Sequence, residues 1–156
     1  LHAMIVYFGN DIQRINHALK VYGYAQTIAA QENVSNNKFT TIEIAAIFHD
    51  IGIPISEQKY GSCDGKYQEI EGPAIARDIL IKNNVDLQII HRVCFIIAHH
   101  HTFKAIDEID FQIIIEADFL VNAFEEAISK SAITNMRDTW FKTKTGIQLL
   151  NSMYGL

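Results

Sequence analysis

The chain has 156 residues, of which 49% are apolar and 20% are charged, a composition typical of one globular domain. Its formal net charge of −5 argues against a general nucleic-acid-binding surface, although it is compatible with a small anionic ligand. No apolar run reaches the roughly 18 residues of a membrane span, and Cys63 and Cys94 lack a CxxC spacing, which favours a reducing, cytoplasmic location.

The first third of the chain has helical periodicity. Residues 11–31 place apolar side chains at steps of three and four, which predicts an amphipathic helix. Thr40 and Glu43 have the spacing of a capping box and predict a second helix from Thr40 to Gly52. Residues 53–68 are rich in Gly and Ser and lack periodicity, so they predict a loop that could cover a substrate as a mobile lid.

The remainder of the chain also has the pattern of helices. Pro73 follows Glu69 and Glu71 and predicts the first position of a helix that runs to about Lys82. Further helices are predicted over residues 87–101, 110–128 and 146–154. The sequence therefore predicts an all-α fold with one domain over residues 1–156. The apolar character of the helix over 110–128 leaves a homodimer open.

Histidines and carboxylates at several places in the chain could bind a metal ion together, the run from His99 to His101 among them. His17 lies within a predicted helix, His49 and Asp50 stand at a helix end in "AAIFHDIGIP", and Asp118 lies in the apolar stretch "IIIEADFLV". Helices of one bundle can bring such side chains to one divalent ion. Imidazole and carboxylate ligands suit Mn²⁺, Fe²⁺, Co²⁺, Ni²⁺ or Zn²⁺ better than Ca²⁺. Unwinding at Gly52 would let His49 and Asp50 reach the same ion.

Each of these residues also has a structural explanation. Asp118 could be the buried partner of a cation such as Arg92, and His49 could be a hydrogen-bonded core histidine. The run from His99 to His101 could be a solvated helix terminus, and at most two of its three rings can point inward from a helix.

The order of these residues resembles a known signature. His17, then "FHDIG", "IAHHH" and "EADFLVN" resemble the H…HD…D pattern of the HD superfamily of metal-dependent phosphohydrolases, over residues 12–125. The resemblance, to a small HDIG-type subgroup, implies an HD-domain-like helical bundle with a C-terminal helical extension over about 130–156. It further implies that His17, His49, Asp50 and Asp118 bind one divalent ion, for which Mg²⁺ is a further candidate.

One position departs from the family pattern. Relatives with two metal ions resemble this chain except for a histidine where it has Gln68, and a single ion is therefore predicted. Glu69 and Glu71 could orient a water molecule near the ion, or they could be ordinary acids of a helix N-terminus. His99 or His100 would then contact the substrate phosphate or a water near the ion.

The resemblance implies a phosphohydrolase in which a metal-activated water attacks phosphorus, with Asp50 as the candidate to accept the water's proton. The phosphate could be neutralised by one or two basic residues among Lys66, Arg77, Arg92, Lys142 and Lys144. Lys142 and Lys144 precede a helix whose amides could receive an anion, although such lysines are more often simply solvated.

The expected partner is a small phosphorylated substrate, with nucleotides foremost, and neither a membrane nor nucleic acid is expected. A nucleoside monophosphate or triphosphate, a cyclic dinucleotide and a sugar phosphate all remain open. A metal-bound ligand-sensing module with little turnover is a second hypothesis, supported by Gln68. Oxygen-dependent chemistry at two irons is a third, and it needs more ligands than the motif offers.

Overall fold

The computed structural model describes residues 1–156 and contains nine α-helices, one short 3₁₀ helix and no strand, so the all-α prediction is confirmed. The α-helices are α1 (His2–Phe8), α2 (Ile12–Gln31), α3 (Asn36–Phe48), α4 (Ile53–Tyr60), α5 (Gly65–Lys82), α6 (Leu87–Ile97), α7 (Ile109–Glu125), α8 (Lys130–Trp140) and α9 (Lys144–Tyr154). The 3₁₀ helix covers Phe103–Ala105, between α6 and α7.

Helices α2, α3 and α7 pack against one another and form the centre of the molecule. Helix α6 packs between α3 and α5, and α4 packs on α5. Helix α1 packs on α2, and α9 contacts α2, α7 and α8. One cluster of 31 buried apolar residues runs through these contacts from Met4 to Leu150. The core is therefore continuous along almost the whole chain.

Helix α7 lies deepest in this arrangement. Every residue from Asp110 to Ala117 is buried, including the polar side chains of Gln112 and Glu116. The reason is that α2, α3 and α9 all pack against this helix. A helix enclosed in this way is apolar on most of its faces rather than along one stripe.

The predicted start of α3 is wrong by four residues. The helix begins at Asn36 after the N-cap residue Ser35, and Thr40 lies in its second turn, where its hydroxyl donates to the carbonyl of Asn36. Glu43 accepts a hydrogen bond from the Tyr22 hydroxyl of α2 instead of closing a capping box. The side chain that suggested a local cap therefore forms a contact between α2 and α3 instead.

The predicted loop over residues 53–68 is also wrong, because most of this segment is helical. Pro54 lies in the first turn of α4, where a proline is tolerated, and Ser56 is buried with its hydroxyl donating to the Gly52 carbonyl. Gly61 ends the helix in a left-handed conformation with φ of 64°. Only residues 61–64 separate α4 from α5.

Helix α5 begins at Gly65, eight residues before the predicted start at Pro73, which lies inside the helix. Close packing of α5 explains why the helix continues through a residue that has no N–H to donate. A Cβ on Gly72 would lie 2.7 Å from Cγ2 of Ile97 in α6. Tertiary contacts along α5 therefore override the local signal of a helix start.

The segment Asn36–Tyr60 is long and apolar enough, by length and composition alone, to cross a membrane. However, 61% of its most apolar window is buried inside the protein, and the chain turns at residues 49–52 between α3 and α4. Its apolar character is accounted for by its place in the core of the fold.

Candidate metal centre

Four side chains from distant parts of the chain meet at one point between α2, α3 and α7. The Nε2 atom of His17 lies 3.3 Å from Nε2 of His49, 3.1 Å from Oδ1 of Asp118 and 3.6 Å from Oδ2 of Asp50. Nε2 of His49 lies 3.3 Å from the same oxygen of Asp50 and 3.6 Å from Oδ1 of Asp118. The structure thus brings together all four predicted metal ligands.

Two of these residues are neighbours in sequence, and the end of α3 allows both to face the same point. The regular helix stops at Phe48, and His49 and Asp50 lie in the turn that follows. Gly52, which was expected to unwind the helix, has an ordinary right-handed φ of −75°. Its role is close packing, because a Cβ there would lie 2.7 Å from the carbonyl oxygen of Gln68 in α5.

Hydrogen bonds orient the two imidazole rings. Nδ1 of His49 donates to the carbonyl of Ala46 at 2.9 Å, and Nδ1 of His17 donates to a carboxylate oxygen of Glu125 at 2.8 Å. Because both partners only accept, each neutral ring carries its proton on Nδ1 and presents the lone pair of Nε2 to the centre. Metal-binding histidines are held in the same way.

The charges of the cluster favour a bound cation. Two Nε2 lone pairs face each other at 3.3 Å beside two carboxylates, and they repel unless a positive charge lies between them. Burial opposes protonation of His49, yet the carboxylates of Asp50 and Asp118 outweigh it and raise the pKa of His49 well above its ordinary value. A divalent ion satisfies the same four groups, so the residues fit a metal.

Asp118 is not the buried partner of an arginine. Arg92 donates to both oxygens of Asp107 and of Asp110, at 2.6 to 2.8 Å. Asp118 lies beside the two imidazoles and accepts a hydrogen bond from the Asn122 amide at 2.9 Å. The alternative based on Arg92 is therefore wrong.

A second group lies on the other side of Asp50. The ligand atoms of Asp50, His100 and His101 lie within 4.8 Å of one another, and Nε2 of His100 is 3.6 Å from Oδ1 of Asp50. Nε2 of His100 and Oε1 of Gln68 are both buried without a hydrogen-bond partner. Such orphaned atoms fit a further ligand, so two neighbouring positions that share Asp50 could hold an ion.

The model of the HD domain family matches residues 14–134 of the chain. This chain belongs to the HD domain family. Its fold is also similar to that of a solved structure described as a predicted HD superfamily hydrolase from an uncultured Thermotogales bacterium. That protein is 23% identical to this chain in sequence, and the two structures align with a TM-score of 0.71. The alignment covers 99% of this chain and 82% of the Thermotogales protein's chain. No curated protein matches the chain.

In this HD domain, the histidine run is a turn and not the end of a helix. Helix α6 ends at Ile97, four residues before the predicted end. Nδ1 of His99 bonds to the carbonyl of Phe95 at 2.8 Å, and His99 belongs to neither candidate metal group. His101, which was not among the predicted site residues, takes the place beside His100.

The two predicted acidic residues of α5 have other partners. Glu69 accepts from the amide of His101 at 3.0 Å and from the hydroxyl of Thr102 at 3.1 Å, so it holds the histidine turn in place. Glu71 accepts from Lys59 and Tyr60 of α4. Neither carboxylate belongs to a candidate metal group.

The amides before α9 already bind an internal anion. The backbone N–H groups of Lys142 and Thr143 donate to Oε1 of the buried Glu116, at 2.7 and 3.0 Å. The amide of Thr145 donates to Glu32 at 2.8 Å. These amides therefore bind carboxylates of the same chain, whereas the sequence had left open that they bind a phosphate.

A cavity of about 410 Å³ opens over His17, Asp50 and Asp118. None of the basic residues that were predicted to bind phosphate lines this cavity: Lys66, Arg77, Arg92, Lys142 and Lys144 all lie elsewhere. Its single Lys or Arg side chain is that of Arg14, and Glu125 lies on its wall. The sequence did contain a signal for these two residues. Arg14 lies three positions before His17 on α2, and Glu125 lies seven positions after Asp118 on α7, so each shares a helix face with a predicted ligand.

Proposed function

We propose that this HD domain is a metal-dependent phosphohydrolase that cleaves a phosphate ester or anhydride in a small substrate, with nucleotides as the first candidates. The observation that carries the proposal is the convergence of His17, His49, Asp50 and Asp118, three of which line an open cavity. A divalent ion held by these residues supplies Lewis acidity toward a phosphate oxygen and lowers the pKa of a water molecule.

Asp50 is the residue best placed to accept a proton from the attacking water. Its Oδ2 faces His17 and His49, and its Oδ1 faces His100, so it lies between the two candidate metal positions. Burial opposes ionisation of Asp50, but the neighbouring imidazoles outweigh it and hold the pKa of this carboxyl well below its ordinary value. The ionised form is the form that accepts a proton.

Arg14 is the residue that supports binding of the phosphate. It is the only cationic side chain on a cavity wall that also carries Asp50, Asp118, Glu125 and Glu126. Its guanidinium contacts Asp11 at 2.5 Å and Glu57 of α4 at 2.6 Å, which holds it on the side of the cavity next to α4. A guanidinium can exchange the exposed Glu57 for two oxygens of a phosphate.

For Arg14→Gln, we expect KM for a phosphorylated substrate to rise about tenfold, the effect of losing one charge-assisted contact of about 1.4 kcal/mol. Metal content should not change. Arg77→Gln is the matched control, since Arg77 is exposed on α5 and lies outside the cavity. Steady-state kinetics of both variants test the assignment. Equal KM values for Arg14→Gln and Arg77→Gln would show that Arg14 does not bind the phosphate.

We expect one equivalent of a transition metal to be bound tightly, by the four-ligand group that contains His17. A second equivalent should bind more weakly to Asp50, His100 and His101, because this group offers fewer charged ligands. Gln68 offers only a neutral amide oxygen, which is a weaker metal ligand than an imidazole nitrogen. Elemental analysis of protein never exposed to a chelator, followed by Mn²⁺ titration, measures both. Less than about a tenth of an equivalent without rebinding would exclude the metal centre.

The function itself is tested by phosphate release from a panel of nucleotides and sugar phosphates, with Mn²⁺ and with a chelated control. Metal-dependent release supports the proposal. Bound metal without release of phosphate from any compound would favour the ligand-sensing module. Two bound irons with oxygen uptake would favour oxygen-dependent chemistry.

A cytoplasmic location is part of the proposal, because Cys63 and Cys94 are both free thiols and Cys63 is exposed. A homodimer is a further part, supported by the exposed apolar side chains of Phe124 and Met153.

A further inference from the structure

Three of the four histidines in the two candidate metal groups, His17, His49 and His100, have an Nδ1 hydrogen-bond partner, and they obtain it in two different ways. His49 and His100 each donate to the backbone carbonyl three residues earlier, that of Ala46 and that of Ile97. Both histidines follow directly on a helix end or lie within a few residues of one. The last carbonyls of a helix have no partner within the helix, so the backbone itself is free to fix these two rings.

His17 cannot use this solution. It lies in the second turn of α2, inside the helix, where the carbonyls before it accept the hydrogen bonds of the helix. Its Nδ1 therefore needs an acceptor from another element. That acceptor is Oε2 of Glu125, at 2.8 Å, on the last residue of α7.

The carboxylate of Glu125 is itself held on both sides. Its Oε1 accepts a hydrogen bond from Nζ of Lys20 at 2.7 Å, and Lys20 lies one turn after His17 on α2. Glu125 stands seven residues after Asp118, so two turns of α7 present both carboxylates toward α2. One helix thus supplies a metal ligand and also the partner of a second ligand.

We propose that Glu125 is a positioning residue of the metal centre, which aims Nε2 of His17 at the ion and strengthens that imidazole as a ligand through its negative charge. The inference rests on the proposed metal-dependent function. Carboxylate partners of ligating histidines fix the ring orientation and increase ligand basicity. Because His49 and His100 depend on backbone carbonyls, His17 is the ligand whose strength a single side chain controls.

The test compares the Mn²⁺ affinity of the wild-type protein, Glu125→Gln, Glu125→Ala and the control Glu126→Ala, by competition with a chelator. Glu126 is the next residue, is exposed, and lines the same cavity, so it reports the general effect of losing one negative charge. We expect Glu125→Ala to weaken binding by roughly 10–100-fold. Glu125→Gln should weaken Mn²⁺ binding less than Glu125→Ala does, because the amide oxygen of glutamine can still accept a hydrogen bond from Nδ1 of His17. Glu126→Ala should stay within about threefold of wild type, as an exposed charge is screened.

Helical circular dichroism on the same samples establishes that each variant is folded. Equal losses for Glu125→Ala and Glu126→Ala would overturn the proposal, since charge alone would then explain both. A Glu125→Gln variant no better than Glu125→Ala would overturn it too, because the orienting hydrogen bond would have no effect. Both outcomes leave the metal centre intact, whereas a wild-type protein that binds no Mn²⁺ refutes the proposed function itself.

Discussion

The Asp118→Asn variant is expected to fold normally and to lose its tightly bound metal ion, with Mn²⁺ affinity reduced by more than about 100-fold. Removing the partner of a ligand typically costs 10–100-fold, and the loss of a charged ligand should cost more. Asparagine keeps an oxygen that can accept from Asn122, so the hydrogen bond inside α7 survives. Phosphate release should fall with the metal. Bound metal, circular dichroism and thermal midpoint are measured on one sample.

The matched control is Asp110→Asn, eight residues earlier on the same helix. Asp110 is 2% exposed and pairs with Arg92, so this change weakens a buried ion pair, typically at a cost of about 3–5 kcal/mol. We expect this variant to be destabilised and to keep its metal, the opposite pattern to Asp118→Asn. Near-normal metal occupancy in a strongly destabilised Asp118→Asn protein would refute the ligand assignment and the mechanism.

Glu116→Ala is expected to destabilise the protein by about 3 kcal/mol, a large effect for a residue outside the metal centre. The Glu116 carboxylate is fully buried, and it accepts from the amides of Lys142 and Thr143, the hydroxyl of Thr143 and the side chain of Gln112. Its removal costs about 1–3 kcal/mol for each buried donor that water entering the vacated space does not satisfy. The thermal midpoint should fall by roughly 6–12 °C for a chain of this size.

The variant that separates hydrogen bonding from charge is Glu116→Gln. Burial raises the pKa of the Glu116 carboxyl above its ordinary value, even though its hydrogen-bond donors oppose the shift, so burial of the negative charge has a cost here. Glutamine is neutral and nearly isosteric, and it can still accept from the amides of Lys142 and Thr143. We expect a loss below about 1 kcal/mol. A Glu116→Ala protein as stable as wild type would show that the α8–α9 connection does not depend on this carboxylate.

The sequence by itself determined the fold class, the order of the main helices and the ordered H…HD…D motif. Residues 11–31 were predicted as a helix, and the structure has α2 at Ile12–Gln31. A periodic apolar face is a local property of the chain, and it is visible without knowledge of what packs against it. Element boundaries were less well predicted where a helix such as α5 depends on its neighbours.

The tertiary structure alone decided which side chains meet at the candidate metal centre. His17 and Asp118 are 101 positions apart, and their 3.1 Å contact depends on the packing of α2 against α7. Among three consecutive histidines, the turn after Ile97, held by Glu69 of α5, selects His100 and His101 over His99. Likewise, the amides before α9 bind Glu116 because α7 lies beside them. Periodicity records which face of a helix is buried, whereas the partner of each polar group is set by contacts between helices that are distant in sequence.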